Sequence, residues 1–468
     1  MPESTAVPQN LLWWQGLPEP ESAAPCPDLQ SLDAAIVGGG FTGLWTAYFL
    51  KQLRPTWRIA IFEQHYVGYG ASGRNGGWLI GGMAGQEDWL GSLPDSQRQQ
   101  SQQLLYGIVE SVRAVCDAHQ IDCDFNHAGV LYAAARYPEQ AHSAHAWLKA
   151  IQASGQPESA FHWLAKPDAE NLLHMPDLYG GLYSPHCATI NPVKLCLGLA
   201  STLREMGVQI VERARVEEVS NRRVTVNSQP LLCGHIVLAS EAFPPAWQPL
   251  SRKRLPVYSN VIATRSLSDH EWQQTVKKPG LAFSDLCRSI TYGQRSQGGH
   301  MVFGARGGYQ FGAKARFEFT QNDPAFRAPT TFLQRLFPSL TEQDIQYRWA
   351  GSLAMSRGFR PFAGFDKDSG IAYAGGYGGE GVGASHLFGQ TLAELITETG
   401  SVFTEQPWVI RGKPSQLKNW EAEPMPWLGF HTLGRLFALE DWLCHEKKLP
   451  WLHKPLNTLS RFASGLIS

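Results

Sequence analysis

The chain has 468 residues, 43% hydrophobic and 17% charged, a balance that allows an extensive core and excludes a largely disordered protein. Its 40 Lys and Arg nearly cancel its 41 Asp and Glu, which disfavours nucleic acid as a partner, including RNA as a substrate. The eight cysteines form no CxxC pair, and no apolar run reaches about 18 residues. We therefore expect reduced thiols, no stable membrane insertion and a cytoplasmic location, while the oligomeric state stays open.

The first thirty residues predict an irregular arm whose apolar residues 11–14 pack onto the body. Residues 34–37 then predict a buried parallel strand, and 44–53 predict a helix that ends before Pro55. A second strand is predicted over 58–62. A glycine turn separates the first strand from the helix, so about thirty residues form a strand, turn, helix and strand.

Further helices and strands are predicted along the rest of the chain. Helices are expected over 97–119, 139–153, 192–203 and 384–398. Strands are expected over 129–135, 208–212, 215–219, 223–226, 235–239, 256–265, 300–306 and 371–374. Of these, 256–265 and 300–306 are assigned to a second, antiparallel sheet. A tail follows from 401 to 468, and we interpret its stretch 456–467 as a helix packed on the body, because it lacks a strongly basic face. The pattern predicts a mixed α/β fold.

The first chemical motif is Gly38-x-Gly40-x-x-Gly43, between the first strand and its helix. In such a turn Gly38 permits the tight bend, Gly40 lets backbone approach a pyrophosphate, and Gly43 lets helix and strand pack closely. The helix N-terminus offers N–H groups to the phosphates. Glu63, which ends the second strand, is placed to accept hydrogen bonds from a ribose. This context favours a dinucleotide site over a glycine-rich turn without a ligand, and it does not choose between FAD and NAD.

A second glycine-rich loop, residues 68–78, favours FAD. An NAD domain has no need for it, whereas in a flavin enzyme such a loop passes beside the pyrophosphate and reaches the isoalloxazine. Ser72, Arg74 and Asn75 are its candidate donors and acceptors. The alternative is a flexible surface loop, which its interior apolar and glycine residues disfavour.

A third glycine run, residues 375–383, opens the late helix. A strand-to-helix turn needs only one or two glycines, and this run has six among nine residues. Its N–H groups are suited to face the pyrimidine end of a flavin, where negative charge develops on reduction.

Together these stretches resemble the D-amino-acid oxidase/glycine oxidase superfamily of FAD-dependent oxidoreductases, and within it the gamma-glutamylputrescine oxidoreductase group. The most specific match is GASGRNGG at residues 70–77. The other matching stretches are 35–43, Glu63, 121–131, 236–240, 349–351, 360–364, 373–385, 419–424 and 427–429.

The resemblance implies a Rossmann-like FAD-binding domain interleaved with a substrate domain built on a mixed or antiparallel sheet. The FAD-binding domain is expected in three parts, 31–95, 186–255 and 345–400, and the substrate domain in two, 96–185 and 256–344. The arm 1–30 and the tail 401–468 lie outside both. The resemblance further implies oxidation of a C–N bond, with oxygen or another acceptor taking the electrons.

Together the motifs and the resemblance give a set of expected FAD-binding residues. They are Gly38, Gly40, Phe41, Thr42, Gly43, Glu63, Gln64, Ser72, Arg74, Asn75, Gly76, Gly77, Val216, Gly378, Gly379, Glu380, Gly381 and Val382.

The late motif departs from the family in two respects. Relatives often carry His where this chain has Glu380, and a carboxylate near the flavin would bind a cationic amine or slow the reaction with oxygen. Glu380 at the surface of the helix start is an equal alternative. The motif also lacks Cys, and the placement of His65 is open, so we expect noncovalent FAD.

Candidate catalytic residues rest on side-chain chemistry alone. Tyr258, Tyr309 and Trp349 are candidates for an aromatic cage around an amine, and Arg306 and Arg360 for bidentate contact with a substrate carboxylate. For each of them a packing or surface role is the alternative. No metal is expected, since Cys116, His119 and Cys123 supply only three ligands at near-metal spacing.

The sequence thus predicts an FAD-dependent enzyme that oxidises a small amine or amino acid, including a gamma-glutamylated polyamine. One alternative is a dehydrogenase that passes electrons to a quinone or carrier. Another is a weakly catalytic flavin-binding protein that acts through docking surfaces on its arm and tail.

Overall fold

A computed structural model describes residues 7–20 and 31–445 of the chain. Its strands β1 to β19 are, in chain order, Leu32–Val37, Ile59–Phe62, Trp78–Ile80, Val130–Ala134, His162–Ala165, Gly180–Ser184, Cys187–Thr189, Gln209–Val211, Val216–Ser220, Arg223–Val226, Gln229–Leu238, Arg254–Ser266, Ala282–Asp285, Thr291–Arg295, His300–Arg306, Ile345–Ser356, Phe362–Asp366, Ile371–Gly375 and Val409–Arg411.

Its helices α1 to α11 are Phe41–Leu53, Gln86–Leu90, Asp95–Tyr106, Ile108–Ala118, Glu139–Ala153, Lys166–Glu170, Pro192–Glu205, Asp269–Gln273, Arg327–Leu336, Gly381–Thr397 and Met425–His445. Short 3-10 helices span Leu12–Trp14, Ala71–Gly73, Gln248–Leu250, Pro324–Phe326, Glu342–Asp344, Val402–Glu405 and Pro414–Gln416.

The first sheet has the strand order β19-β17-β18-β11-β1-β2-β8, and β9 and β10 form an antiparallel extension of β11. Strand β1 lies in the middle and pairs in parallel with β2 on one side and β11 on the other. Its residues Ala34, Ala35 and Ile36 are fully buried, as the apolar run predicts for a strand covered on both faces. The carboxyl ends of β1, β2 and β11 therefore meet at one edge of the sheet.

The second sheet has the strand order β16-β12-β15-β14-β13-β4-β6-β5. Strands β12 and β15 pair antiparallel, which confirms the prediction from 256–265 and 300–306. A third, two-stranded sheet pairs β3 with β7 and follows the glycine-rich loop. The mixed α/β fold is confirmed.

Several predicted boundaries differ from the structure. Helix α1 begins at Phe41 rather than 44, and β11 begins at Gln229 rather than 235. The helix predicted over 97–119 is two helices, α3 and α4, separated at Gly107, because glycine is a poor helix former. The late helix α10 begins at Gly381 rather than near 384, since the glycine turn ends earlier than the apolar pattern indicated.

The division into domains stays a prediction. Two strands, however, pair with strands outside the predicted part to which they belong. Strand β16 lies within the predicted third FAD-binding part, yet it pairs antiparallel with β12 in the second sheet, from Arg254 opposite Ser356 to Thr264 opposite Ile345. Strand β19 lies within the predicted tail, yet it pairs in parallel with β17 in the first sheet.

The arm packs onto the body, as predicted. Leu11, Leu12, Trp13 and Trp14 are all buried. The ring of Trp13 meets that of Trp349 edge-on at 6.0 Å between centroids, and Trp14 meets Tyr66 at 5.4 Å. The rest of the predicted arm, 1–6 and 21–30, and the predicted amphipathic stretch 456–467 lie outside the described residues.

Within residues 7–20 and 31–445, no helix is both long enough and apolar enough to cross a membrane. The seven cysteines of this part are free thiols, and its His, Cys, Asp and Glu side chains form no group of three or more arranged for a metal ion.

Candidate active site

The first glycine turn joins β1 to α1 with no room for side chains. Gly38 has a φ of +110°, and a Cβ there would lie 2.7 Å from the carbonyl oxygen of Ala239. A Cβ on Gly43 would lie 2.0 Å from the carbonyl oxygen of Gly38, so helix and strand are in close contact. The Phe41 N–H at the helix start donates to Ser72 Oγ at 2.9 Å, which joins this turn to the second glycine-rich loop.

Glu63 follows β2 at the same edge of the sheet. Its carboxylate accepts hydrogen bonds from the N–H of Gly39 at 2.7 Å and of His65 at 2.8 Å. Burial raises the pKa of Glu63 to about 7, against the effect of these backbone donors. The carboxylate is thus fixed beside the turn that α1 opens.

These residues surround a cavity of about 160 Å³ at the N-terminus of α1. Expected FAD-binding residues that line it are Gly38, Gly40, Phe41, Thr42, Glu63, Gln64, Ser72, Asn75, Val216, Gly379, Gly381 and Val382. They come from the three glycine-rich turns, the end of β2 and the first residue of β9.

The side chains of the second loop shape the loop itself. The Asn75 amide donates to the carbonyl oxygens of Ala71 at 3.2 Å and Ser72 at 2.6 Å, and its Oδ1 accepts from the Gly77 N–H at 2.8 Å. Arg74 is buried, and its guanidinium donates to the Tyr69 carbonyl at 2.8 Å. Both side chains thus bond to neighbouring backbone, and both also line a cavity, Asn75 both cavities and Arg74 the larger one, so their contact with the cofactor stays a prediction.

The last two glycines of this loop are in contact with the second sheet. A Cβ on Gly76 would lie 2.3 Å from the ring of Tyr292 in β14. Gly77 has a φ of +77°, and a Cβ there would lie 2.2 Å from Nε2 of Gln294 in the same strand. Gly76 lines the larger cavity described below, and Gly77 is not among the lining residues of either cavity.

The third glycine turn leads from β18 to α10 and lies beside the first. Tyr377 at its start shares a hydrogen bond with Thr42 of α1, at 2.8 Å between hydroxyl oxygens. Gly378, Gly379, Glu380 and Val382 line a second cavity of about 950 Å³. Glu380 therefore lines this cavity, and its position near the flavin stays a prediction.

The two cavities share part of their walls. Ala71, Asn75, Ser352, Leu353, Gly379 and Val382 line both. The space thus extends from the N-terminus of α1, past the second and third glycine turns, to the face of the second sheet.

The larger cavity holds charges of both signs. Arg306 ends β15, and its side chain lines the cavity. The surrounding protein atoms lower the pKa of Arg306, and the negative charge of Glu380 opposes that change. Burial raises the pKa of Glu380 to about 7, with Glu87 adding to the rise and Arg306 opposing it. A cation and two carboxyl groups therefore influence one another across this cavity.

The predicted catalytic residues fall into two groups. Tyr258 and Arg306 line the larger cavity, although the Tyr258 hydroxyl is turned towards the Lys314 carbonyl oxygen, at 2.7 Å. Trp349 and Arg360 line neither cavity. Trp349 is buried, with its indole N–H donating to the Arg74 carbonyl at 3.0 Å, and Arg360 is exposed on the surface. Tyr309, the third aromatic candidate, also lies outside both cavities and donates its hydroxyl to Glu423.

Sequence reasoning missed Glu241, which lines the smaller cavity. Its carboxylate accepts from the Ala354 N–H at 3.0 Å, and burial raises its pKa to about 7 while Arg254 lowers it. Glu241 comes shortly after β11, as Glu63 comes after β2, and that shared position is a signal that was available.

Sequence reasoning also missed the polar residues of the larger cavity on β13, α2 and α11. Asp285, Glu87 and Glu440 line it, and they come from parts of the chain with no motif. Asp285 forms a buried ion pair with Arg136. No local pattern in the sequence distinguishes these residues from ordinary surface acids.

The geometry fits FAD. The smaller cavity has glycine backbone and a helix N-terminus for a pyrophosphate, a fixed carboxylate for a ribose, and no space for a side chain at Gly40, where a Cβ would lie 2.8 Å from Ser72 Oγ. The adjoining larger cavity has room for both the flavin ring and a small substrate.

A family model described as FAD dependent oxidoreductase (DAO) matches residues 33–395. The chain therefore belongs to the DAO family of FAD-dependent oxidoreductases, and its cofactor is FAD, as the sequence predicted. Attachment without a covalent bond stays a prediction.

Among its relatives, gamma-glutamylputrescine oxidoreductase of Escherichia coli strain K12 is 26% identical over 381 residues, which are 78% of this chain and 83% of the relative. The structure of glycine oxidase from Geobacillus kaustophilus matches with a TM-score of 0.66 and 20% identity, covering 81% of this chain and 98% of that one. L-proline dehydrogenase from P. horikoshii matches with a TM-score of 0.64 and 16% identity, covering 81% and 97%. The two structures share the fold.

Proposed function

We propose that this protein oxidises the C–N bond of a small amine or amino acid, with a gamma-glutamylated polyamine as the first substrate to test. The observation that carries the proposal is the presence of Arg306 and Glu380 in the wall of one cavity beside the third glycine turn. The name of the E. coli relative, gamma-glutamylputrescine oxidoreductase, supports the same class of substrate.

Each of the two side chains has a defined use in binding such a molecule. Glu380, with a pKa of about 7, is substantially ionised at neutral pH and attracts the ammonium group of an amine. Arg306 stays cationic despite the lowering of its pKa, and its planar guanidinium suits a carboxylate or a gamma-glutamyl group. A substrate that carries both an amine and a carboxylate can therefore bind to Glu380 and Arg306 at the same time.

Other residues position the substrate and exclude water. The aromatic side chains of Tyr132, Trp78 and Tyr292 line the same cavity and offer apolar surface and ring faces to an amine chain. The Tyr292 hydroxyl is hydrogen-bonded to Ser259, which fixes its ring above Gly76. When bound, FAD supplies at N5 the acceptor for a hydride from the carbon that carries the amine, and the resulting imine hydrolyses to an aldehyde or keto product.

The test is an anaerobic titration of the purified holoprotein with putrescine, gamma-glutamylputrescine, spermidine and glycine, followed by flavin absorbance. We expect bleaching by at least one of them and tighter binding of the amines that carry a carboxylate. Arg306→Met is expected to weaken the binding of gamma-glutamylputrescine about tenfold and that of putrescine less than twofold. Arg360→Met is the matched control, since Arg360 is exposed outside both cavities.

The outcomes separate the alternatives. Equal losses for both amines in Arg306→Met would contradict the role of Arg306 as a carboxylate binder. A flavin that none of the compounds bleaches would favour the weakly catalytic binding protein. Where bleaching occurs, peroxide formed on admission of air indicates oxygen as the acceptor, and its absence favours a quinone or carrier.

A further inference from the structure

The C-terminal helix α11 forms part of the wall of the larger cavity. The family match ends at residue 395, and α11 begins at Met425, so the helix lies outside the matched domain. Glu440 and Cys444, near the end of the helix, are buried and line the cavity. The cavity in which we place the substrate is therefore completed by a segment that lies beyond the residues matched by the family model.

Asp441 attaches this helix to two other parts of the wall. Its carboxylate accepts hydrogen bonds from the Tyr137 hydroxyl at 3.0 Å and from the backbone N–H groups of Arg288 at 3.2 Å and Ser289 at 3.2 Å. Asp441 is buried, and a buried carboxylate is tolerated when donors surround it. Three donors from two distant segments therefore fix the position of the end of α11.

The segment that Asp441 holds is the connection between β13 and β14, residues 286–290. Leu286, Cys287, Arg288 and Ile290 of this connection all line the cavity. Arg288 also donates from Nε to Glu440 at 3.3 Å. The shape of the cavity on this side thus depends on contacts made by two adjacent acidic residues of α11.

We propose that α11 is a substrate-selecting wall of the active site and that Asp441 is a positioning residue, which holds the 286–290 connection in the form that binds the amine. This inference rests on the proposed function for the identity of the substrate. It gives the C-terminal segment a role inside the catalytic site, in place of the docking surface that the sequence left as an alternative.

The decisive variant is Asp441→Asn, which keeps the size of the side chain and replaces one acceptor oxygen with an amide that cannot accept from a backbone N–H. We expect faster deuterium uptake at residues 286–290 of the holoprotein, and a dissociation constant for gamma-glutamylputrescine about tenfold higher in anaerobic titration. The limiting rate of flavin reduction at saturating amine is expected to change less than about twofold, because Asp441 does not line the cavity.

Arg435→Gln is the matched control, since it removes one charge from an exposed position of the same helix. Tyr137→Phe is the milder second variant: it removes only the hydroxyl that donates to Asp441, and its effect is expected to be about threefold in the dissociation constant.

Unchanged deuterium uptake and amine binding in both Asp441→Asn and Tyr137→Phe would overturn the inference, as would a loss confined to the limiting rate. The failure of the proposed function has a different signature. If no amine bleaches the wild-type flavin, the substrate class is wrong. The deuterium uptake of Asp441→Asn against Arg435→Gln then still decides whether α11 holds the wall.

Discussion

The two ends of the connected cavity are constructed differently. At the N-terminus of α1 the cavity is bounded by a glycine turn that has no room for side chains, because an added Cβ on Gly38, Gly40 or Gly43 would lie within 3 Å of another atom. At the other end, residues from α2, α5, β15, α11 and the 286–290 connection line the cavity, and these elements lie far apart in the chain. A close turn between a strand and a helix needs glycines at fixed spacing, so it leaves a recognisable pattern in the sequence. A wall of side chains from distant elements leaves none.

The largest effect is expected from adding a side chain in the first glycine turn. Gly40→Val places a Cβ 2.8 Å from Ser72 Oγ, at a residue that lines the smaller cavity. We expect FAD affinity to fall by roughly 100-fold or more, the equivalent of about 3 kcal/mol of overpacking. The ratio of flavin to protein absorbance in the purified variant measures this. Gly308→Val is the control, since a Cβ there has no atom within 4 Å. Full flavin content in Gly40→Val would show that this turn does not hold the cofactor.

An intermediate effect, dependent on pH, is expected at the side-chain end. The pKa of Glu380 is about 7, so its carboxyl group is neutral below that pH and ionised above it, whereas an alkylamine stays cationic throughout. Amine binding is therefore expected to tighten by about tenfold as the pH rises from about 6 to about 8. In Glu380→Gln this dependence is expected to disappear. Dissociation constants from anaerobic titrations at the two pH values measure it, and a variant that keeps the full dependence would place the titrating group elsewhere.

The smallest effect is expected at Arg360, and it tests where the site ends. Arg360 matches the family stretch at 360–364, yet it is exposed and lines neither cavity. Arg360→Gln is expected to change amine binding and flavin reduction by less than about twofold, as is usual for an exposed side chain. A loss as large as that expected of Arg306→Met would mean that the side-chain end extends further than the cavity indicates.

The sequence predictions are accurate around the first glycine turn and less accurate for the segments that line the larger cavity. The buried strand at 34–37, the helix at 44–53 and the strand at 58–62 correspond to β1, α1 and β2, with α1 beginning three residues early at Phe41, since each depends on neighbouring residues. The sequence predicts no strand or helix between 401 and 455 of the tail, yet this part contributes β19 to the first sheet and α11 to the larger cavity. Which parts of the body these segments contact depends on residues hundreds of positions away.

The contacts of single residues are also visible only in the folded structure. Arg74 and Asn75 were recognised because GASGRNGG is a specific pattern, but their hydrogen bonds to the loop backbone become visible only when the loop is folded. Arg306 and Arg360 are equivalent as isolated arginines in the sequence. The end of β15 places the first in the cavity, and the turn after β16 places the second at the surface.

The sequence by itself determined the mixed α/β fold, the dinucleotide turn, the FAD cofactor and the family. The fold, the turn and the choice of FAD depend on glycines and apolar residues at short, fixed spacing, where local backbone geometry leaves few alternatives. The family follows from the resemblance of whole stretches such as GASGRNGG. Only the tertiary structure decided that Glu380 lines a cavity, that Trp349 is buried beside the Arg74 carbonyl, and that Asp441 accepts hydrogen bonds from the 286–290 connection. Such contacts join residues far apart in the chain, and their free energy comes from burial and hydrogen bonding that exist only once the sheets and helices have assembled.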